Sequence, residues 1–96
     1  MSGFTTISST QLSANGTVFA GSARVKSIYV AHSAVAGTVI LRDGGASGDV
    51  KCTINTAAVI GEYQTDIPEP GIRCVKALGP YIAVTGGVSF VTVFYE

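Results

Sequence analysis

The segment Val88–Tyr95, Val-Ser-Phe-Val-Thr-Val-Phe-Tyr, is the strongest β-strand signal in the chain. A strand sends successive side chains to opposite faces. Val91, Val93 and Tyr95 therefore fall on one side, and Val88, Phe90 and Phe94 on the other. Both sides are apolar. A two-layer domain has one interior, so only one of these sides can face its own core. The other needs a loop, another subunit, or water, and leaving a Phe or Val side chain wet forgoes about 1.5–3 kcal/mol. The pattern calls for a β fold with a partner surface.

Ninety-six residues make one domain, spanning 1–96. A chain of this length buries about 60–65% of its unfolded surface, so association would add to modest stability. The chain is 47% hydrophobic and only 12% charged, with zero net charge. That charged fraction is about half the usual value for a soluble domain. Charge normally supports solubility, so the composition suits either a protein packed against other protein or a small soluble domain that carries Ser and Thr where others carry Lys and Glu. The six basic residues, Arg24, Lys26, Arg42, Lys51, Arg73 and Lys76, are scattered and form no stripe to displace counterions from phosphate, which argues against nucleic acid. The start, Met-Ser-Gly-Phe-Thr-Thr-Ile, has no basic n-region or apolar h-region, and no apolar run is long enough for a helix to span a bilayer. The expectation is a protein folded in the cytosol, with no membrane partner.

Apolar and β-branched residues come in runs of four to eight between Gly, Pro, Asn and Ser, with no sustained helical period. Strands are expected near Phe4–Thr10, then at Thr17–Ala20 after an Asn15-Gly16 type I′ hairpin turn. Arg24–His32 and Thr38–Arg42 follow, joined by Ser33–Gly37. The loop from Asp43 to Asp49 leads into Val50–Asn55, where Val50, Cys52 and Ile54 alternate with Lys51, Thr53 and Asn55. After Ala57–Ile60 comes an extended segment ending in Ile67-Pro-Glu-Pro-Gly71, whose prolines make a bend and not a central strand. The remainder reads as a meander of Ile72–Leu78, Tyr81–Thr85 and Val88–Tyr95. About eight short strands at roughly ten-residue spacing predict an all-β, antiparallel β-sandwich of jelly-roll or related Greek-key topology. An immunoglobulin-like topology is the second choice, without the Trp of true immunoglobulin domains.

Residues that could carry chemistry are sparse. His32 is the only histidine, and Ser33 beside it would point to the opposite strand face, so the two do not make a triad. The carboxylates Asp43, Asp49, Glu62, Asp66, Glu69 and Glu96 mostly sit in predicted loops, and no pair serves as general acid and base. The glycine-rich Asp43–Asp49 loop is too poor in carboxylates for a dedicated calcium loop and reads as a hairpin connection. It matches no phosphate-binding pattern. Cys52 and Cys74, 22 positions apart, read as reduced thiols at apolar positions, with a cross-strand disulfide as the alternative if their Cα atoms come within reach. With one imidazole and no CxxC, no metal site is expected. Tyr29, Tyr63, Tyr81 and Tyr95 are the available stacking platforms for a sugar. No enzyme activity and no cofactor are expected.

The order of segments carries a resemblance. Ser22–Val30, Gly37–Gly45, Ile67–Ile72, Tyr81–Thr85 and Val88–Tyr95 together resemble short bacteriophage virion proteins of marine and freshwater phages. Small β-sandwich decoration (cement) proteins on phage heads are similar in size and composition. The resemblance implies a capsid decoration protein, assembled in the host cytoplasm, that binds major capsid subunits at the virion surface as a homo-oligomer, often a trimer. It supplies no functional residues. On the reading of the residues themselves, the interface is expected at Phe4, Phe90, Phe94 and Tyr95. A host-recognition or glycan-binding module of a phage tail or fibre is the second reading.

Overall fold

The computed structural model describes residues 7–96. These residues form an antiparallel seven-stranded sheet, and none of them is helical. The strands are β1 (Ser8–Leu12), β2 (Gly16–Thr17), β3 (Ala23–Asp43), β4 (Asp49–Thr56), β5 (Gly61–Asp66), β6 (Ile72–Cys74) and β7 (Pro80–Tyr95). The all-β, antiparallel expectation holds. The short, evenly spaced strands do not, because the segments Arg24–His32 and Thr38–Arg42 are one 21-residue strand. Likewise Tyr81–Thr85 and Val88–Tyr95 run on as the 16-residue β7.

β3 and β7 pair antiparallel along most of their length, and the other strands attach to this pair. In the first half of β3, β5 and β6 lie on one side and the second half of β7 on the other, with β1 beyond it. In the second half of β3, β4 lies on one side and the first half of β7 on the other, with β2 beyond it. A straight 21-residue strand would run about 65–70 Å. The longest dimension of the molecule is 45 Å, so β3 bends. Its two ends also meet a common segment. Ala23 at its start pairs with Cys74, and Asp43 at its end accepts hydrogen bonds from the N–H groups of Val75 and Lys76. The strand therefore folds back on itself, and Val25, Ile28 and Val30 of its first half share one core with Val39 and Leu41 of its second.

The fold-back is centred on residues 33–36. His32 pairs with Val88 and Gly37 with Gly86, so four residues of β3 oppose the single Gly87 of β7. At this corner the backbones touch. A Cβ on Gly37 would lie 2.4 Å from the Thr85 carbonyl oxygen, and one on Gly87 would lie 2.2 Å from that of Val35. Gly86 has φ +68° and would place a Cβ 2.3 Å from the Ala36 oxygen. Only glycine fits such an approach.

Smaller bulges explain which side chains turn inward. Each extra residue reverses the in/out alternation beyond it. Lys26 is extra between the pairs Val25–Tyr95 and Ser27–Phe94, and the buried positions of β3 change from 23 and 25 to 28, 30 and 32. Ser89 is extra in β7, which turns Val88 onto the core although it was expected on the Phe90 and Phe94 side. Lys51 is extra in β4, so Val50 is exposed while Cys52 packs on the core and Ile54 is buried.

The Asn15-Gly16 hairpin is also absent. β1 and β2 do not pair with each other, and both bind the same edge of β7. Neither Asn15 nor Gly16 has the positive φ that a type I′ turn requires. Instead the Asn15 side-chain oxygen accepts the Val84 N–H at 2.7 Å, satisfying part of the β7 edge next to β2. The two other turn expectations hold: Gly44–Gly48 closes the β3–β4 hairpin, and Ile67–Gly71 is a turn between β5 and β6.

Candidate functional site

His32 is buried, with its ring over Gly61, its cross-strand partner. Its Nδ1 lies 3.4 Å from the Ser33 carbonyl oxygen, while the Ser33 hydroxyl accepts the Val35 N–H at 3.3 Å. The adjacent histidine and serine are thus used separately, within the corner. Among the described residues, no three His, Cys, Asp or Glu side chains converge as a metal-ligand group.

Asp43 is only 1% exposed. Its Oδ2 accepts the Val75 N–H at 3.1 Å and its Oδ1 the Lys76 N–H at 3.2 Å. The sequence places this carboxylate at the mouth of a glycine-rich loop. The fold uses it to close the end of the molecule opposite the corner.

Both cysteines are free thiols, with Cys52 half-buried and Cys74 buried. Burial, with the nearby Asp43 charge second, pushes the Cys74 thiol up to about 11 from 9.0. Between these values the unfolded chain loses the thiol proton while the folded chain keeps it, so native stability falls as pH rises through 9 to 11. Cys74→Ser should flatten that part of the stability curve, by on the order of 2–3 kcal/mol over the window. Urea titrations of both proteins at pH 8.5 and 10.5 measure it.

The four residues expected at an interface are not brought together. Phe4 lies outside the described residues. Tyr95 is on the inner face, where it packs on the core with its ring 5.5 Å from that of Phe19. Phe90 and Phe94 do lie on the outer face, in register with Ala31 and Ser27 of β3. Their neighbours cover them in part, leaving both half-buried. Tyr29 approaches Phe90 at 6.0 Å between ring centres, and its hydroxyl donates to Glu62, a hydrogen bond that holds the phenol above its ordinary range. Ser27, Gln64 and Asp66 are mutually hydrogen-bonded beside Phe94. This outer face is a mixed aromatic and polar surface.

The corner exposes a more apolar surface. Residues 33–36 of β3 and the β4–β5 connection 57–60 lie between the same two rungs, Gly37–Thr56 and His32–Gly61. Val35 is 61% exposed, Val59 60% and Ile60 82%, with Ala34, Ala36, Ala57 and Ala58 exposed around them. A signal for this end was present in the sequence: no Asp, Glu, Lys or Arg occurs from Ser27 to Leu41 or from Cys52 to Gly61. What the sequence lacked was the register that sets the two runs side by side. No protein-family model, curated protein or solved structure matches the chain.

Proposed function

We propose that this chain is a structural virion protein, a capsid decoration protein that acts by association. The observation that carries the reading is the uncharged corner, where Val35, Val59 and Ile60 stand in water with four alanines around them. Clustered exposed apolar side chains mark interaction surfaces on small domains. Burying an Ile side chain stabilises a complex by about 1.5–3 kcal/mol. The folded-over sheet is read as a compact sandwich of Greek-key type, a rigid mount for that corner. Many copies on a repeating lattice would gain by multivalency even if each contact were weak. The resemblance to phage decoration proteins supports a homo-oligomer, a trimer, on the major capsid subunits at the virion surface.

Ile60→Lys tests this reading. The side chain is 82% exposed, so folding should change by no more than about 0.5 kcal/mol. Self-association by sedimentation velocity should weaken tenfold or more, as should binding to empty capsids and the accompanying rise in capsid melting temperature. A parent protein that stays monomeric at micromolar concentration and leaves capsids unchanged would sink the proposal. Binding to host cells or glycans instead would favour a tail or fibre recognition module.

A further inference from the structure

Arg24 of β3 and Arg73 of β6 are direct cross-strand partners. Both are exposed on the outer side of their strands, beside the buried Ala23 and Cys74. Directly opposed like charges repel, and most sheets avoid them. Both arginines line a cavity of about 510 Å³, together with Ser22, Val75 and Glu96.

The chain has six carboxylate side chains to neutralise this pair, and none does so. Asp43 is buried on two backbone amides. Asp49 pairs with Lys76 at 3.0 Å. Glu69 and Glu96 both bind Lys26, at 2.6 and 3.1 Å. Glu62 accepts from Tyr29, and Asp66 from Ser27 and Gln64. Residues 1–6 contain no Asp or Glu. Among the described residues, neither guanidinium group is therefore in a salt bridge with a carboxylate side chain, although both line one cavity.

We infer that this cavity binds a tetrahedral dianion, a phosphate group, held by Arg24 and Arg73. Two guanidinium groups match its double charge, and their planar N–H forks suit phosphate oxygens. Ser22 also lines the cavity, and a serine hydroxyl can act as a further donor. Glu96 also lines the cavity; its Oε1 is held by Lys26 at 3.1 Å, which limits its repulsion of an anion, while its Oε2 is buried without a hydrogen-bond partner among the described residues. This site is independent of the apolar corner, and its test uses no association readout.

The experiment is a thermal-stability titration of the whole protein with inorganic phosphate, at constant ionic strength set by sodium chloride. The melting temperature should rise and saturate with phosphate, while monovalent acetate produces no saturable rise. Arg24→Gln and Arg73→Gln should each weaken the apparent phosphate affinity tenfold or more. Without phosphate, at low salt, each variant should melt no lower than the parent, because the repulsion is relieved. That second readout shows that the variants are folded. Lys51→Gln, outside the cavity, should titrate like the parent. Saturation by phenyl phosphate at lower concentration would identify a phosphomonoester as the ligand, and equal saturation would identify free phosphate. A rise that never saturates and is the same in all variants is general salting-out and would overturn the inference.

Discussion

Gly86→Val should leave the protein largely unfolded at 25 °C, or lower its melting temperature by more than about 15 °C. Gly86 has φ +68°, which a β-branched residue adopts only at a cost of about 1–2 kcal/mol. Its Cβ would also lie 2.3 Å from the Ala36 oxygen and 2.7 Å from Gly37 Cα, inside the β3 backbone at the corner. Backbone cannot step aside as a side chain can, so the two costs together exceed about 4 kcal/mol. A domain of this size has about 5–15 kcal/mol in total, and each kcal/mol moves its melting temperature by about 4–8 °C. Gly16→Ala is the control. Its φ is not positive, and its Cβ would meet only the tip of the Leu12 side chain at 3.0 Å. It should stay within about 1 kcal/mol of the parent. Circular dichroism melts of the two variants read the difference directly, and equal loss in both would mean that the corner is not where the fold is constrained.

The second large effect is expected at Asp43. Asp43→Ala removes the acceptor for two backbone N–H groups, and hydrogen bonds to a charged group contribute about 1.5–3 kcal/mol each. The loss should be about 3 kcal/mol or more by urea denaturation. Asp43→Asn retains one acceptor oxygen and turns an NH₂ toward the other amide, so it should recover no more than half. Because Asp43 ties the end of β3 to the segment following β6, hydrogen exchange in the alanine variant should rise first at residues 72–80 and 41–45. Uniform faster exchange across the whole sheet would show that the contact contributes no more there than elsewhere.

Much of the strand content was legible because side-chain periodicity is a local property. β3, β4 and β7 lie where alternating apolar runs predicted strands, and the proline-rich segment turns as its lost N–H donors require. What failed was continuity and phase. Gly37 and Gly86-Gly87 read as breaks between strands, whereas glycine there permits two backbones to cross without ending either strand. Lys26, Lys51 and Ser89 carry no mark of a bulge in their identity. Each is extra only with respect to a partner strand, and that relation does not exist in one dimension. Val50 and Val88 were assigned to the wrong faces for this reason. Asn15-Gly16 failed differently: a strong hairpin signal yielded to the chance to pair with the edge of β7, where the Asn15 side chain found an acceptor's role.

The interface residues show the same division. The sequence identified a strand with two apolar sides, and Phe90 and Phe94 do lie outward, half-covered. The more exposed apolar surface joins residues 33–36 to 57–60, which are more than twenty positions apart and adjacent only through the β3–β4 and β3–β5 ladders. Arg24 and Arg73, nearly fifty positions apart, become neighbours in the same way.

By itself, the sequence determined that this chain is an antiparallel β protein with little charge, because alternation, turn residues and composition act within a few residues of one another. Only the tertiary structure decided that the best strands are two long ones folded at a glycine corner. It also decided which of their side chains turn inward, and which uncharged segments and unpaired arginines meet at the surface. The physical reason is that pairing register is a contact between distant segments, and a single extra residue reverses every side chain beyond it.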